Sequence, residues 1–142
     1  MTDNPIRRVI VRDLPALCEW AIPRFSERHP RIEQSPAMVR FLIEATADKN
    51  CLFVMTNNAV GMFAVESVPW EPLPVVCDIF VVGRDASSAF EASRLYARGL
   101  EWAREIGAIE FRFGTDTDTD LDGIASRIGY DRVCRNYVKK LR

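Results

Sequence analysis

Between Leu73 and Gly107 the sequence sets an apolar run (Val75, Val76, Ile79, Phe80, Val81, Val82), a short polar turn from Gly83 to Ser88, and a long segment with helical spacing. A strand that hands its chain to a helix through small residues builds an anion site. The first turn of a helix has unpaired backbone N–H groups, and the helix dipole adds partial positive charge there. Ser87 and Ser88 are placed to cap that helix or to bond the anion themselves. The chemistry this predicts is the holding of a phosphate by main chain, without a dedicated side chain.

Other reactive residue types point to less. Cys18, Cys51, Cys77 and Cys134 are scattered, with no Cys-x-x-Cys pair. That spacing argues against metal and redox motifs and reads as buried reduced thiols. His29, the single histidine, lies between Arg28 and Pro30, so any histidine-dependent triad or metal site would rest on it alone. Asp118-x-Asp120-x-Asp122-Gly123 copies the opening of an EF-hand calcium loop, but Gly129 stands at the twelfth position, where a bidentate glutamate belongs. The stretch reads as a solvated loop whose aspartates cap the next helix, and no metal is expected.

The chain has the length of one domain, 1–142, and its composition (48% apolar, 27% charged, net charge -1) describes a soluble globular protein. Such a balance gives no overall pull toward nucleic acid or an anionic membrane, and only Arg132, Arg135, Lys139, Lys140 and Arg142 hint at a basic stripe. Apolar runs are strand-sized and broken by charge, and residues 2–8 lack a signal-peptide core. A cytoplasmic protein is the expectation.

The elements that must position the turn can be read in order. Ile6 to Val11 is β-branched and predicts a strand. Asp13 before Leu14, Pro15 and Ala16 starts a helix with Leu17, Cys18, Ala21 and Ile22 on its apolar face, fading near Pro23 to Phe25. A second helix begins at Ser35-Pro36, carries Met38, Phe41, Leu42 and Ala45 on one face, and ends at Asn50. Leu52 to Met55 and Val60 to Val68, joined at Asn57-Asn58, form an antiparallel hairpin, and residues 69–72 lead on to the strand described first. The long helix shows Ala89, Ala92, Tyr96, Leu100, Ala103 and Ile106 at one-face spacing and stops at Gly107. Ile109 to Phe113 alternates apolar and charged, as a half-buried strand does. The acidic loop Thr115 to Asp120, a helix from Leu121 to Ile128 capped by Gly129, and a strand from Asp131 to Leu141 complete the chain.

The order β-α-α-β-β-β-α-β-α-β predicts an α/β protein whose mixed sheet is covered by helices. It excludes a Rossmann unit, because Gly-x-Gly-x-x-Gly is missing and the early strands are hairpin-linked. The last strand runs straight to the carboxyl terminus, an edge that could recruit a second copy into a homodimer.

This layout resembles the GNAT superfamily of acetyl-CoA-dependent N-acyltransferases from end to end. Val11-Arg12-Asp13-Leu14 followed by Leu17 looks like the family's first strand and helix, and Ile106-Gly107-Ala108 like the end of its main helix. Ser126-Arg127-Ile128-Gly129-Tyr130 looks like the lysine, leucine, glycine, phenylalanine stretch that ends its last helix. The resemblance implies that the fourth strand splays from its neighbour at a bulge, that the main chain at Val81 and Val82 pairs with the pantetheine arm of CoA, and that the following loop binds the pyrophosphate.

The family loop reads Gln or Arg, two residues, Gly, one residue, Gly or Ala. With Arg84 first, Ser87 replaces the glycine and Ala89 ends the motif; with Ser87 first, Phe90 replaces it and Ala92 ends the motif. The second register keeps the helix length, with Leu95, Leu100 and Ala103 in apolar positions, and is preferred. In either, a Cβ stands where backbone should approach phosphate. The full implied binding set is Val81, Val82, Arg84, Ser87, Ser88, Ala89, Phe90 and Ala92.

Counting back from Val82 as the family does makes Asp78 the base that frees the acceptor amine of its proton, with Glu66 second. The other reading of Asp78 is a strand residue paired with an arginine or a backbone N–H. The family's thiolate-protonating tyrosine falls on Ala125, with Ser126 adjacent, while Tyr130 and Tyr137 match structural positions, so water is left as the proton donor. Proximity then supplies much of the rate. The acidic loop would lie near the CoA end and attract a cationic amine. The implied function is an N-acetyltransferase that moves an acetyl group from acetyl-CoA to a primary amine of a small molecule or protein, with neither nucleic acid nor membrane as partner. The alternative is a GNAT-folded binding or assembly module without turnover.

Overall fold

A computed structural model describes residues 4–26 and 36–114 together with positions 129, 139 and 141. The expected acidic loop, the helix after it and the closing strand lie outside the described residues. Five strands form one sheet in the order β1 (Arg7–Arg8), β2 (Cys51–Met55), β3 (Ala59–Glu66), β4 (Val75–Gly83) and β5 (Glu110–Arg112). The first four are antiparallel neighbours, and β4 pairs with β5 in parallel. Helices α1 (Leu14–Ser26) and α2 (Pro36–Ala47) cover one face and α3 (Ala89–Glu105) the other. Among the described residues, no helix is long and apolar enough to cross a membrane.

Alternation along the strands divides the core in two. Phe53, Val60 and Met62 pack with Leu14, Leu17, Leu42 and Ala45 under α1 and α2. Leu52, Val54, Phe63 and Val76 pack with Leu95, Tyr96, Trp102 and Ala103 under α3. Because both faces are covered, β2 and β3 read as nearly unbroken apolar runs.

Three expectations change. The first strand is short because Asp13 turns the chain: its carboxylate accepts the Ile10 N–H at 2.9 Å and a two-pronged bond from Arg7 at 2.8 Å on each oxygen. Val11–Asp13 is accordingly a 3-10 turn. Helix α1 continues through Pro23 to Ser26, whose hydroxyl donates to the Pro23 carbonyl at 3.0 Å. The buried face of α3 is Leu95, Tyr96, Gly99, Trp102 and Ala103, rotated away from the expected Ala89, Leu100 and Ile106. Gly99 sets that rotation. A Cβ there would stand 2.8–2.9 Å from ring atoms of Phe63, so the helix can lie on Phe63 only where a side chain is absent.

Candidate functional site

The sheet opens at the middle of β4. Met62 pairs with Phe80 and Phe63 with Asp78, which leaves Ile79 as an extra residue on β4, a bulge that turns the strand locally. On the other side β4 pairs with β5 through Val75, Val76 and Cys77 only. Among the described residues, no β4–β5 ladder pair follows Cys77 and Arg112. Backbone groups left free on one side of a strand are what an extended ligand needs for strand-like pairing.

Asp78 stands where the strands part. If the parallel register continued, Phe113 and Gly114 would face Asp78 and Ile79. Instead the Gly114 N–H bonds to the Asp78 carboxylate, so a side chain takes a donor that would otherwise serve the ladder. From α3, the Tyr96 hydroxyl donates to Asp78 Oδ2 at 3.3 Å. The Tyr96 ring is buried, held edge-on to Phe63 at 6.0 Å and against Phe113 at 5.1 Å between centroids.

The two hydroxyl-bearing groups of this pair titrate apart. Burial pushes the Asp78 carboxyl up to about 6, against the smaller opposing pull of the Tyr96 hydroxyl and the backbone N–H groups. Burial, with the neighbouring Asp78 charge, holds the Tyr96 phenol well above its ordinary value. At neutral pH Asp78 is thus an anion close to its titration point, and Tyr96 keeps its proton. A carboxylate in that state can take a proton and release it again. Neighbouring Cys77 is raised to about 11 by burial, then by the nearby acids, and stays a thiol.

The polar turn after β4 is organised around Asp85, an acid outside the expected binding set. Asp85 accepts the Ser87 N–H at 2.8 Å, the Ser87 hydroxyl, and the Ser88 hydroxyl at 3.3 Å. These donors, the Ser87 hydroxyl first, hold its carboxyl below the ordinary range, and the Arg24 charge adds to them. The Ser88 N–H bonds to the Asp85 carbonyl and the Arg84 N–H to the Asn58 carbonyl. Glu91, in the first turn of α3, accepts from Asn4 and Asn58. Two carboxylates therefore already stand at the positive end of α3. From α1, Arg24 donates to the Gly83 carbonyl at 3.2 Å and Trp20 lies under the Arg84 guanidinium at 4.9 Å.

The expected residues fall into separate groups. Asp78 lies where the β4–β5 ladder ends, and Val81 and Val82 follow it on β4, paired with Gly61 and Val60 of β3. Arg84 and Ser87 are exposed in the turn, and Ser88 is buried and spent on Asp85 rather than on a helix cap. Phe90 is 69% exposed. The register from Arg84 to Ala89 spans the turn and ends on the first residue of α3, whereas Phe90 and Ala92 of the preferred register already lie inside the helix. Glu66 is exposed at the end of β3 opposite Val75, about 10 Å along the strand from the Asp78 pairing. The structure does not bring it to Asp78. The apolar void under Phe80 and Val82, about 30 Å³ between α1, α2 and the sheet, offers no strong hydrogen-bonding partner. Among the described residues no cluster of three or more His, Cys, Asp or Glu could hold a metal.

No protein-family model and no curated protein matches this sequence. Solved structures do match its fold over nearly the whole length. A transcriptional regulator from Bacillus halodurans C-125 superposes with TM-score 0.78 at 14% identity, covering 98% of this chain and 100% of that one. AAC(6')-Iy, in complex with the bisubstrate analogue CoA-S-monomethyl-acetylneamine, gives 0.76 at 13% identity and 99% of each chain. The aminoglycoside antibiotic 6'-N-acetyltransferase AAC(6')-Ih from Acinetobacter baumannii gives 0.74 at 12% identity, again over 99% of each. The chain has the fold of the GNAT acetyltransferases.

Proposed function

We propose that this chain is an N-acetyltransferase that moves an acetyl group from acetyl-CoA to a primary amine of a small molecule or protein, with Asp78 as the base. The observation that carries this reading is the coincidence at one place of the β4 bulge, the end of β4–β5 pairing, and a carboxylate titrating near 6. The main chain of Val81 and Val82, on the side of β4 away from β3, would pair with the pantetheine arm. The turn from Arg84 to Ala89 would receive the pyrophosphate, with Arg84 moving from its rest on Trp20. A fold neighbour that holds a CoA bisubstrate analogue supports CoA as the donor.

In the reaction, Asp78 accepts a proton from the acceptor's ammonium group. The freed nitrogen attacks the thioester carbonyl carbon, the tetrahedral intermediate collapses with cleavage of the C–S bond, and the amine nitrogen loses its second proton to water as the amide forms. The CoA thiolate takes a proton from water. The Asp78 carboxylate must be ionised to begin, so turnover falls as pH drops through about 6.

A second reading has its own observation. Asp85 and Glu91 already supply negative charge at the start of α3, an arrangement that suits a module of the same fold without turnover. Titration calorimetry with acetyl-CoA, followed by thiol release assayed against a panel of primary amines, separates the two. Micromolar binding with thiol release in the presence of an amine supports the enzyme. Absence of heat at millimolar acetyl-CoA overturns it in favour of the module.

A further inference from the structure

We propose that Tyr96 is a positioning residue for Asp78, its Oη–H held against Oδ2 so that the carboxylate stays fixed at the parting of β4 and β5 with its remaining lone pairs turned to an incoming ammonium group. This rests on the acyltransferase reading and adds to it a residue outside the expected set. Tyr96 is buried at 5% exposure on α3 with its ring clamped between Phe63 and Phe113, so its hydroxyl has little freedom to point elsewhere. The hydroxyl reaches Asp78 across a separation of 18 residues, and the Gly114 N–H approaches the same carboxylate from beyond β5. Two donors arriving from different elements over-determine the carboxylate, as an unsupported strand side chain would not be.

The groups that face Asp78 leave Tyr96 as its main controllable partner. On β3 its register partner is Phe63, which is apolar. On β4 the adjacent Cys77 stays protonated. On β5 the Arg112 guanidinium is bound to Glu110 at 2.6 Å. The phenol keeps its own proton through the neutral range, so it donates continuously and does not itself exchange a proton with substrate. Its action on the reaction passes through Asp78 alone.

The test is Tyr96→Phe, which retains the ring and removes only the hydroxyl. Carboxyl-labelled aspartate NMR titration of the full chain, with Asp78→Asn identifying the resonance, is expected to show a midpoint near 6 that rises by about 1 unit in Tyr96→Phe, the size of one hydrogen bond to a charged group. Acetyl-CoA affinity measured by calorimetry should be unchanged. A ring that serves only packing would leave the midpoint where it is, and that result, or a fall, overturns the proposal. If Tyr96→Phe unfolds, Tyr96 replaced by 3-fluorotyrosine, a stronger donor with the same shape, must lower the midpoint, and no change again overturns it. Lack of acetyl-CoA binding by the unaltered chain would instead bring down the acyltransferase reading, whatever the titration shows.

Discussion

Two aspartates bracket the part of β4 beyond its last β5 pair, and their surroundings differ in opposite senses. Asp78 is half-buried, and burial outweighs its three hydrogen-bond donors, so its carboxyl rises to about 6. Asp85 is exposed and meets two serines, a backbone N–H and the field of Arg24, so its carboxyl stays low. One side chain type thus becomes a group that exchanges protons at one end and a lasting anion at the other. The difference lies in burial, since each carboxylate meets three hydrogen-bond donors.

The comparison breaks most completely at Asp78. Replacing it with Asn retains size and lets Tyr96 and Gly114 keep a hydrogen-bonding partner, yet removes proton acceptance. Turnover of the primary amine identified by the thiol-release panel is expected to fall by about 10²- to 10⁴-fold, the usual contribution of general base catalysis. Acetyl-CoA affinity, measured calorimetrically, should hold. Asp85→Asn, by contrast, should leave the chemical step intact. Equal losses of turnover in the two variants would show that the aspartates do not differ in role.

A second, smaller effect concerns stability. A carboxyl raised from 3.8 to about 6 on folding binds a proton more tightly in the folded chain. Its favourable contribution is full below the unfolded value and is lost as pH rises through about 6. The chain should therefore lose on the order of 2 kcal/mol of unfolding free energy from this group between pH 4 and pH 7, after some allowance for screening. Asp85 contributes with the opposite sign, since its depressed carboxyl stabilises above the unfolded value and loses that as pH falls. Urea unfolding at several pH values should show the loss above pH 4 in the unaltered chain and its disappearance in Asp78→Asn. Persistence of the loss in that variant would place its origin elsewhere.

What could be read in advance follows the same division between local and distant causes. The β2–β3 hairpin was legible because two apolar runs meet at Asn57-Asn58, and the β4–turn–α3 unit because its pattern changes abruptly at Gly83. Asp78 stood out as an acid in an apolar strand. Its partner did not, because the spacing places Tyr96 among the apolar face residues and the pairing crosses from helix to sheet. A signal was present: a buried tyrosine hydroxyl needs an acceptor and a half-buried carboxylate needs donors, so each predicts some partner. Asp85 was missed although an Asp just ahead of Ser87-Ser88 and a helix is a local capping signal. The truncation of the first strand at Asp13 required knowing that Arg7 would reach it. The rotation of α3 depended on Gly99 meeting Phe63, a contact visible only after folding.

The smallest effect sharpens the comparison from the Asp85 side. If the turn receives a pyrophosphate, the diphosphate and the Asp85 carboxylate compete for the same Ser87 N–H and for the positive end of α3. Asp85→Asn keeps an oxygen to accept the serine donors and removes one negative charge beside the phosphates. The effect of a solvent-exposed charge at a helix terminus is modest, so acetyl-CoA should bind about two- to fivefold tighter in the variant. The gain should shrink in high salt, because the charge is fully open to screening. Glu91 offers the control. Its carboxylate is engaged by Asn4 and Asn58 and faces the β2–β3 turn, so Glu91→Gln should alter affinity less than Asp85→Asn. A weaker rather than tighter complex in Asp85→Asn would mean that the aspartate organises the turn for the ligand instead of standing in its place.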